Sequence, residues 1–212
     1  TEIEVFGGVD IPLSVTNVRY RWDASDDNKA TLLWDAPGNK GVHGMDIPSI
    51  TYNILSPMWG MMIDQKTGLT ECQFEVTASM TAQGLVQRGI QAVSAGGKST
   101  MEMAYINLGP AVPLDVYESF AGGAVNYPTW GVNGISGQAR WSMYNSNPEI
   151  ADAQDGDNGY AMCIAGENGG EDRLVSPAFD FSSAQPAYLH MWLFHSTKVN
   201  PATTLTIEAT TN

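Results

Sequence analysis

The sequence predicts an all-β protein. No stretch of about 10–15 residues holds a helical period. Glycine (22 residues) and proline (11), with abundant Ser, Thr and Asn, supply turns at short intervals. Between those turns lie short segments in which apolar and polar residues alternate, the pattern of strands with one buried face. The 212 residues leave room for one large domain or two of ordinary size, and 43% are hydrophobic, enough to build cores.

After a lead segment, residues 1–13, strands recur at regular spacing across 14–109. In Val15–Trp22, Val18, Tyr20 and Trp22 share one face. The polar turn Asp26-Asp27-Asn28 leads into Lys29–Trp34, which stops at Asp35-Ala-Pro37. Ile50–Leu55, Met58–Ile63, Glu71–Val76 and Leu85–Val93 follow. A turn at Ala95-Gly96-Gly97-Lys98 precedes the last strand, Met101–Leu108. About seven short strands separated by turns fit an immunoglobulin-like sandwich.

This region resembles a fibronectin type III domain. The resemblance is carried by Trp34 in Ala30–Pro37, by Tyr52 in Ile50–Ile54, and by Ile90–Ser94 followed by Gly96-Gly97. It implies that Trp34 is the core tryptophan of the second strand. Where the family has its tyrosine corner this chain has Val86, which implies that the neighbouring loop is anchored differently. The glycine-rich segment Gly38–Pro48 is a long loop of the kind that carries binding residues on a rigid scaffold. Its His43 has no partner at metal-ligand spacing and reads as a solvated loop histidine. Met58, Trp59, Met61 and Met62 form a soft apolar cluster expected in the core, with partial exposure of Trp59 on an edge strand as the alternative.

Residues 110–113 form a stiff, proline-flanked linker that disfavours helix and ladder pairing and sets a defined angle between the halves. Beyond it come Val116–Phe120, a glycine-rich turn, Trp130, and the strand-like Arg140–Tyr144. The acidic loop Asp152–Gly159 precedes Tyr160–Ile164. Arg173–Pro177 and Phe179–Phe181 lead to Ala187–Phe194, apolar on both faces and so expected to be a central strand. Leu205, Ile207 and Ala209 alternate with polar residues in a final strand.

Glu118-Ser119-Phe120, Gly159-Tyr160 and Arg173–Pro177, in that order with the aromatic strand, resemble the jelly-roll domains called MAM. They are closer still to the cleaved-adhesin modules attached to gingipain-type bacterial proteases. The resemblance covers 114–212. It implies a fold class of fibronectin type III sandwich plus jelly-roll sandwich, surface display or secretion, adhesion, and a structural cation. Domains of that family continue through further strands, so the jelly roll is expected to be incomplete at its C-terminal end. Completion by a missing segment, or strand-mediated self-association, is the corresponding partner expectation.

The formal net charge of −13, from 23 acidic against 10 basic residues, argues against nucleic acid and anionic lipid as partners. It suits divalent cations, cationic partners or neutral glycans, and it also serves solubility alone. No apolar run is long enough to span a bilayer, so membrane insertion is not expected. The chain begins at Thr1 without a signal peptide and reads as a mature or trimmed segment of something longer.

Asp152, Asp155, Asp157 and Asn158 offer hard oxygen ligands around Gly156, with Glu118 as a further ligand from another strand. The spacing is not that of an EF-hand, and the loop reads equally as a calcium site or a solvated acidic turn. Cys72 and Cys163 lie one in each half, outside any Cys-x-x-Cys pattern, and read as two buried free thiols. His190 and His195 are five apart in one expected strand and point to opposite faces. No Gly-x-Ser-x-Gly elbow is present. Trp130, Trp141, Trp192, Tyr127 and Tyr144 are available as glycan platforms, with burial in a sandwich core the competing use. The expected function is therefore a non-catalytic extracellular adhesion or ligand-binding module for a host or matrix protein or a glycan. The alternatives are an accessory domain of a secreted peptidase or glycosidase whose catalytic part lies elsewhere, and a structural spacer.

Overall fold

In the computed structural model the described residues are 8–123, 130–137, 140–145, 156, 158–164, 170–183, 186–194 and 204–209. They are almost wholly strand and turn. The first half carries β1 (Thr16–Asp23), β2 (Asp26–Asp35), β3 (Thr51–Met58), β4 (Met61–Leu69), β5 (Gln73–Thr77), β6 (Gly84–Ser94), β7 (Gly97–Lys98) and β8 (Glu102–Leu108).

These strands form two facing sheets. One has the order β1-β2-β5; the other runs β4-β3-β6, with β6 pairing both β7 and β8. Every pairing is antiparallel. Alternate residues bury between the sheets: Ala30, Leu32 and Trp34 from β2, Tyr52 and Ile54 from β3, Ile90 and Ala92 from β6, and Ala104, Ile106 and Leu108 from β8. Each buried Leu or Ile contributes about 1.5–3 kcal/mol relative to exposure. Trp34 is buried and meets Tyr52 edge-on, with ring centroids 5.3 Å apart. This is the core position the fibronectin type III resemblance implied.

Two aromatic side chains of β1 tie it to β8. The indole nitrogen of Trp22 donates to the Asn107 carbonyl at 2.7 Å, and the Tyr20 hydroxyl accepts from the Asn107 N–H at 3.4 Å. The two rings pack edge to face, 5.0 Å apart. Burial pushes the Tyr20 phenol up to about 12, against the bonds from Asn107.

The second half contributes β9 (Val112–Pro113), β10 (Gly131–Gly137), β11 (Arg140–Tyr144), β12 (Tyr160–Ile164), β13 (Gly170–Val175) and β14 (Phe179–Asp180). It forms three separate two-stranded ladders: the antiparallel pairs β10–β13 and β11–β12, and the short parallel pair β9–β14. That last pairing corrects the expectation for the linker. Pro113 lacks an N–H, but Val112 has one and donates it to the Ala178 carbonyl at 2.8 Å, so a ladder forms beside the proline.

Residues 187–194 depart further from expectation. They form no strand, and their large side chains are exposed. Residues 204–209 likewise form none, with Leu205 and Ile207 exposed. An apolar or alternating pattern makes a segment competent for a sheet, but a strand requires a ladder partner, and none of the described residues pairs with either segment.

The halves are pinned together by buried carboxamides. The Asn133 side chain accepts from the Tyr105 N–H at 2.7 Å and donates to the Tyr105 carbonyl at 3.0 Å, so β10 caps β8. Gln83 donates to the Pro110 and Ala178 carbonyls, both at 3.1 Å, and accepts from the Ala178 N–H at 2.8 Å. Asn107 donates to the Ser176 carbonyl at 3.2 Å, and Arg173 donates to the Asn17 side chain at 3.2 Å.

Candidate functional site

The β3–β4 hairpin turns on two residues, with Met58 paired to Met61. Trp59 and Gly60 both take the left-handed conformation, at φ 51° and 77°. This is the geometry of a tight hairpin turn, in which Asn-Gly is the favoured pair: glycine has no Cβ to clash, asparagine's short polar side chain tolerates the left-handed conformation, and other residues are strained there. A tryptophan in that place projects outward and is 89% exposed. Met58, Met61 and Ile63 are exposed around it. Met62 alone of the apolar cluster is half-buried, lying over Gly89. The expected strand Met58–Ile63 is thus a turn with a strand on each side, and the expected core cluster is an apolar tip. The sequence signal was Gly60, masked by the apolar residues around it.

A second cluster joins the opening motif of the second half to the end of the acidic loop. A 3-10 turn at Ala121–Gly123 follows Phe120. The Glu118 carboxylate accepts from the Phe120 N–H at 2.7 Å, and the Asn158 side-chain Oδ1 accepts from the Gly122 N–H at 3.2 Å. Gly159 approaches the Phe120 carbonyl so closely that a Cβ there would overlap it. Glu118 and Asn158, far apart in sequence, therefore bond to one short turn. Asp152, Asp155 and Asp157 lie outside the described residues, as do Tyr127 and His195. Among the described residues no three His, Cys, Asp or Glu side chains converge on a point.

His43 is not merely solvated. Its Nδ1 lies 2.7 Å from the Asp10 carboxylate, which also accepts from the backbone N–H groups of Ile11, His43 and Met45. Gly41 is required there, because a Cβ at that position would strike the Asp10 carboxylate. This latch fastens the lead segment to the 38–48 loop, and the isolated position of Asp10 in the sequence gave no sign of it.

Cys72 and Cys163 are free and half-buried rather than buried. Burial, reinforced by the nearby Asp172 charge, pushes the Cys163 thiol up, away from the thiolate that a nucleophile needs. Asp172 is itself held above the ordinary carboxylate range by burial, against bonds from the N–H groups of Trp141 and Arg173. Glu102 is raised by burial too, with Arg140 opposing. Among the aromatic platforms, Trp130 packs edge-on against Phe120 and Tyr144 stacks on Tyr160. Trp141 donates its indole N–H to the Asp172 carbonyl at 3.2 Å, while Trp192 is exposed. No helix among the described residues is long and apolar enough to cross a membrane.

No protein-family model matches the chain, and no curated protein matches it. Among solved structures it is similar to a Fn3-like protein from Clostridium thermocellum, with 20% identity, 46% of this chain and 92% of that chain covered, and a TM-score of 0.33. It is also similar to the FN1-FN3 domains of chicken CNTN1, with 11% identity over 81% of this chain and a TM-score of 0.36. The match spans 59% of the chicken chain. On its own strand order, the first half is a fibronectin type III-like sandwich.

Proposed function

We propose that the chain is a non-catalytic adhesion or ligand-binding module of a bacterial surface or secreted protein, working outside the cell. The observation that carries this reading is the Trp59 tip. A left-handed tryptophan costs about 1–3 kcal/mol, and such strain is characteristic of functional positions. Its ring is a rigid, solvent-facing anchor of the type that dominates protein interfaces. The partner is a host or matrix protein or a glycan.

Trp59→Asn separates binding from folding, because asparagine suits the turn and the exposed indole contributes no core packing. Arrays of matrix proteins and glycans, probed with both proteins, should show ligands whose affinity falls about thirtyfold in the variant, the weight of a strong anchor of roughly 2 kcal/mol. The variant should melt a few degrees higher, from about 1 kcal/mol of relieved strain. Identical ligand profiles for the two proteins, or no ligand for either, would sink the proposal.

The same reading includes a structural calcium ion held by Asp152, Asp155, Asp157 and Asn158 with Glu118. What supports it is the shared turn that gathers Glu118 and Asn158, together with an all-oxygen donor set suited to a hard cation. Calcium at about one hundred times its dissociation constant should stabilise the fold by about 2.7 kcal/mol and raise the melting temperature, with chelator reversing the effect. Coincident melting curves in calcium and in chelator would rule the ion out. The substitutions Asp155→Asn and Asp157→Asn should abolish the calcium shift.

A further inference from the structure

Ala187-Tyr-Leu-His-Met-Trp-Leu-Phe194 is the longest run of exposed apolar side chains among the described residues. Exposure runs from 51% at Met191 to 78% at Tyr188 and Trp192, and Leu189, Leu193 and Phe194 lie between. The segment contains no Asp, Glu, Lys or Arg. Monomeric proteins rarely leave so large a contiguous apolar surface in water. With about 150–250 Å² per aromatic side chain, the exposed parts of these six residues total on the order of 800 Å², an upper bound on what one copy brings to an interface.

We propose that residues 187–194 pair antiparallel with the same residues of a second copy of this chain, about a twofold axis at Met191. The sequence is self-complementary in that register. Tyr188 lies opposite Phe194, His190 opposite Trp192 and Leu189 opposite Leu193, while Met191 meets itself. One face of the ribbon is then wholly aromatic and the other wholly aliphatic, because residues directly opposite in an antiparallel pair share a face. A ribbon centred one half-step away mixes the two classes on both faces. The twofold axis closes the assembly at two copies, since each segment meets its own equivalent. The rest of the chain carries the net charge of −13, so two copies repel at low salt and the pairing strengthens as salt screens them.

Sedimentation velocity of the full chain across about 1–100 μM should show a monomer–dimer equilibrium that shifts toward dimer with added salt. Trp192→Lys should weaken the dimer by at least about tenfold, because it places a charge within the ribbon. Trp59→Lys, on the other apolar surface, should leave it unchanged, which separates this proposal from the ligand-binding reading. Hydrogen exchange on the wild-type chain should protect amides of 187–194 only at concentrations where the dimer forms. The proposal is overturned by a monomer throughout that range, by a dimer indifferent to Trp192→Lys, by oligomers growing past two, or by protection independent of concentration.

Discussion

The Asp10 carboxylate organises the lead segment and the 38–48 loop through bonds from Ile11, His43 and Met45, while its own carbonyl accepts from the Ser94 hydroxyl at 2.6 Å. Burial opposes its ionisation, but these bonds, that of the His43 ring foremost, overcome it and hold the carboxyl below its ordinary value. A folded-state pKa lowered in this way gives stability that is fully present above the unfolded value near 3.8 and lost as pH falls through the folded one. Acid should therefore release the latch below that value. Asp10→Asn should lower the melting temperature at neutral pH and flatten its decline in acid, as thermal melts between pH 6 and 2.5 will test; an unchanged acid slope in the variant would assign the loss to other carboxylates. Legibility at this scale varied with backbone geometry. Trp34 was readable because a regular strand fixes which way its ring points. Trp59, in an equally apolar run, was not, because its direction depends on a left-handed φ that sequence alternation does not encode.

Strand edges are the vulnerable parts of a sandwich, and β8 is an edge. Its outward-facing backbone groups are met by side chains instead of a further strand: Tyr105 by the Asn133 carboxamide, Asn107 by Tyr20 and Trp22. Asn133 is buried, so Asn133→Ala would strand both the N–H and the C=O of Tyr105. The expected loss is about 2 kcal/mol or more, measurable as a lower midpoint in urea denaturation. A change under about 0.5 kcal/mol would mean that water replaces the carboxamide at no penalty. Most of the first half's strands were legible because they alternate and find partners, the β3–β4 turn being the exception. Ala187–Phe194 has the doubly apolar composition of a central strand but no partner among the described residues, and pairing is a property of two segments, not one. Gln83, Asn107 and Asn133 were invisible for the opposite reason: a carboxamide in or beside a strand looks solvent-facing until a second element comes to rest on it.

At the level of the whole molecule, the sandwich of the first half was readable because its core pattern lies within about a hundred residues of consecutive sequence. The junction was not, because it rests on single polar contacts between residues far apart in sequence, such as Gln83 with Ala178. The ladder of Val112 with Phe179 and the carboxamide bonds make the two halves one mechanical piece, more tightly coupled than a proline-flanked linker alone would suggest. The acidic surface adds mutual repulsion between copies, which the exposed segments must overcome to associate.

The capping of β8 by Asn133 also sets an order of events during synthesis. Tyr105 leaves the ribosome 28 residues ahead of the side chain that completes it. At about 5–20 residues per second, that interval lasts on the order of a few seconds. Once the rest of β8 has followed, the first sandwich still presents an open strand edge at Tyr105, in reach of neighbouring chains on the same message. The arrival of one asparagine closes that window, so a pause in translation between the two positions would lengthen the period in which nascent chains can pair wrongly.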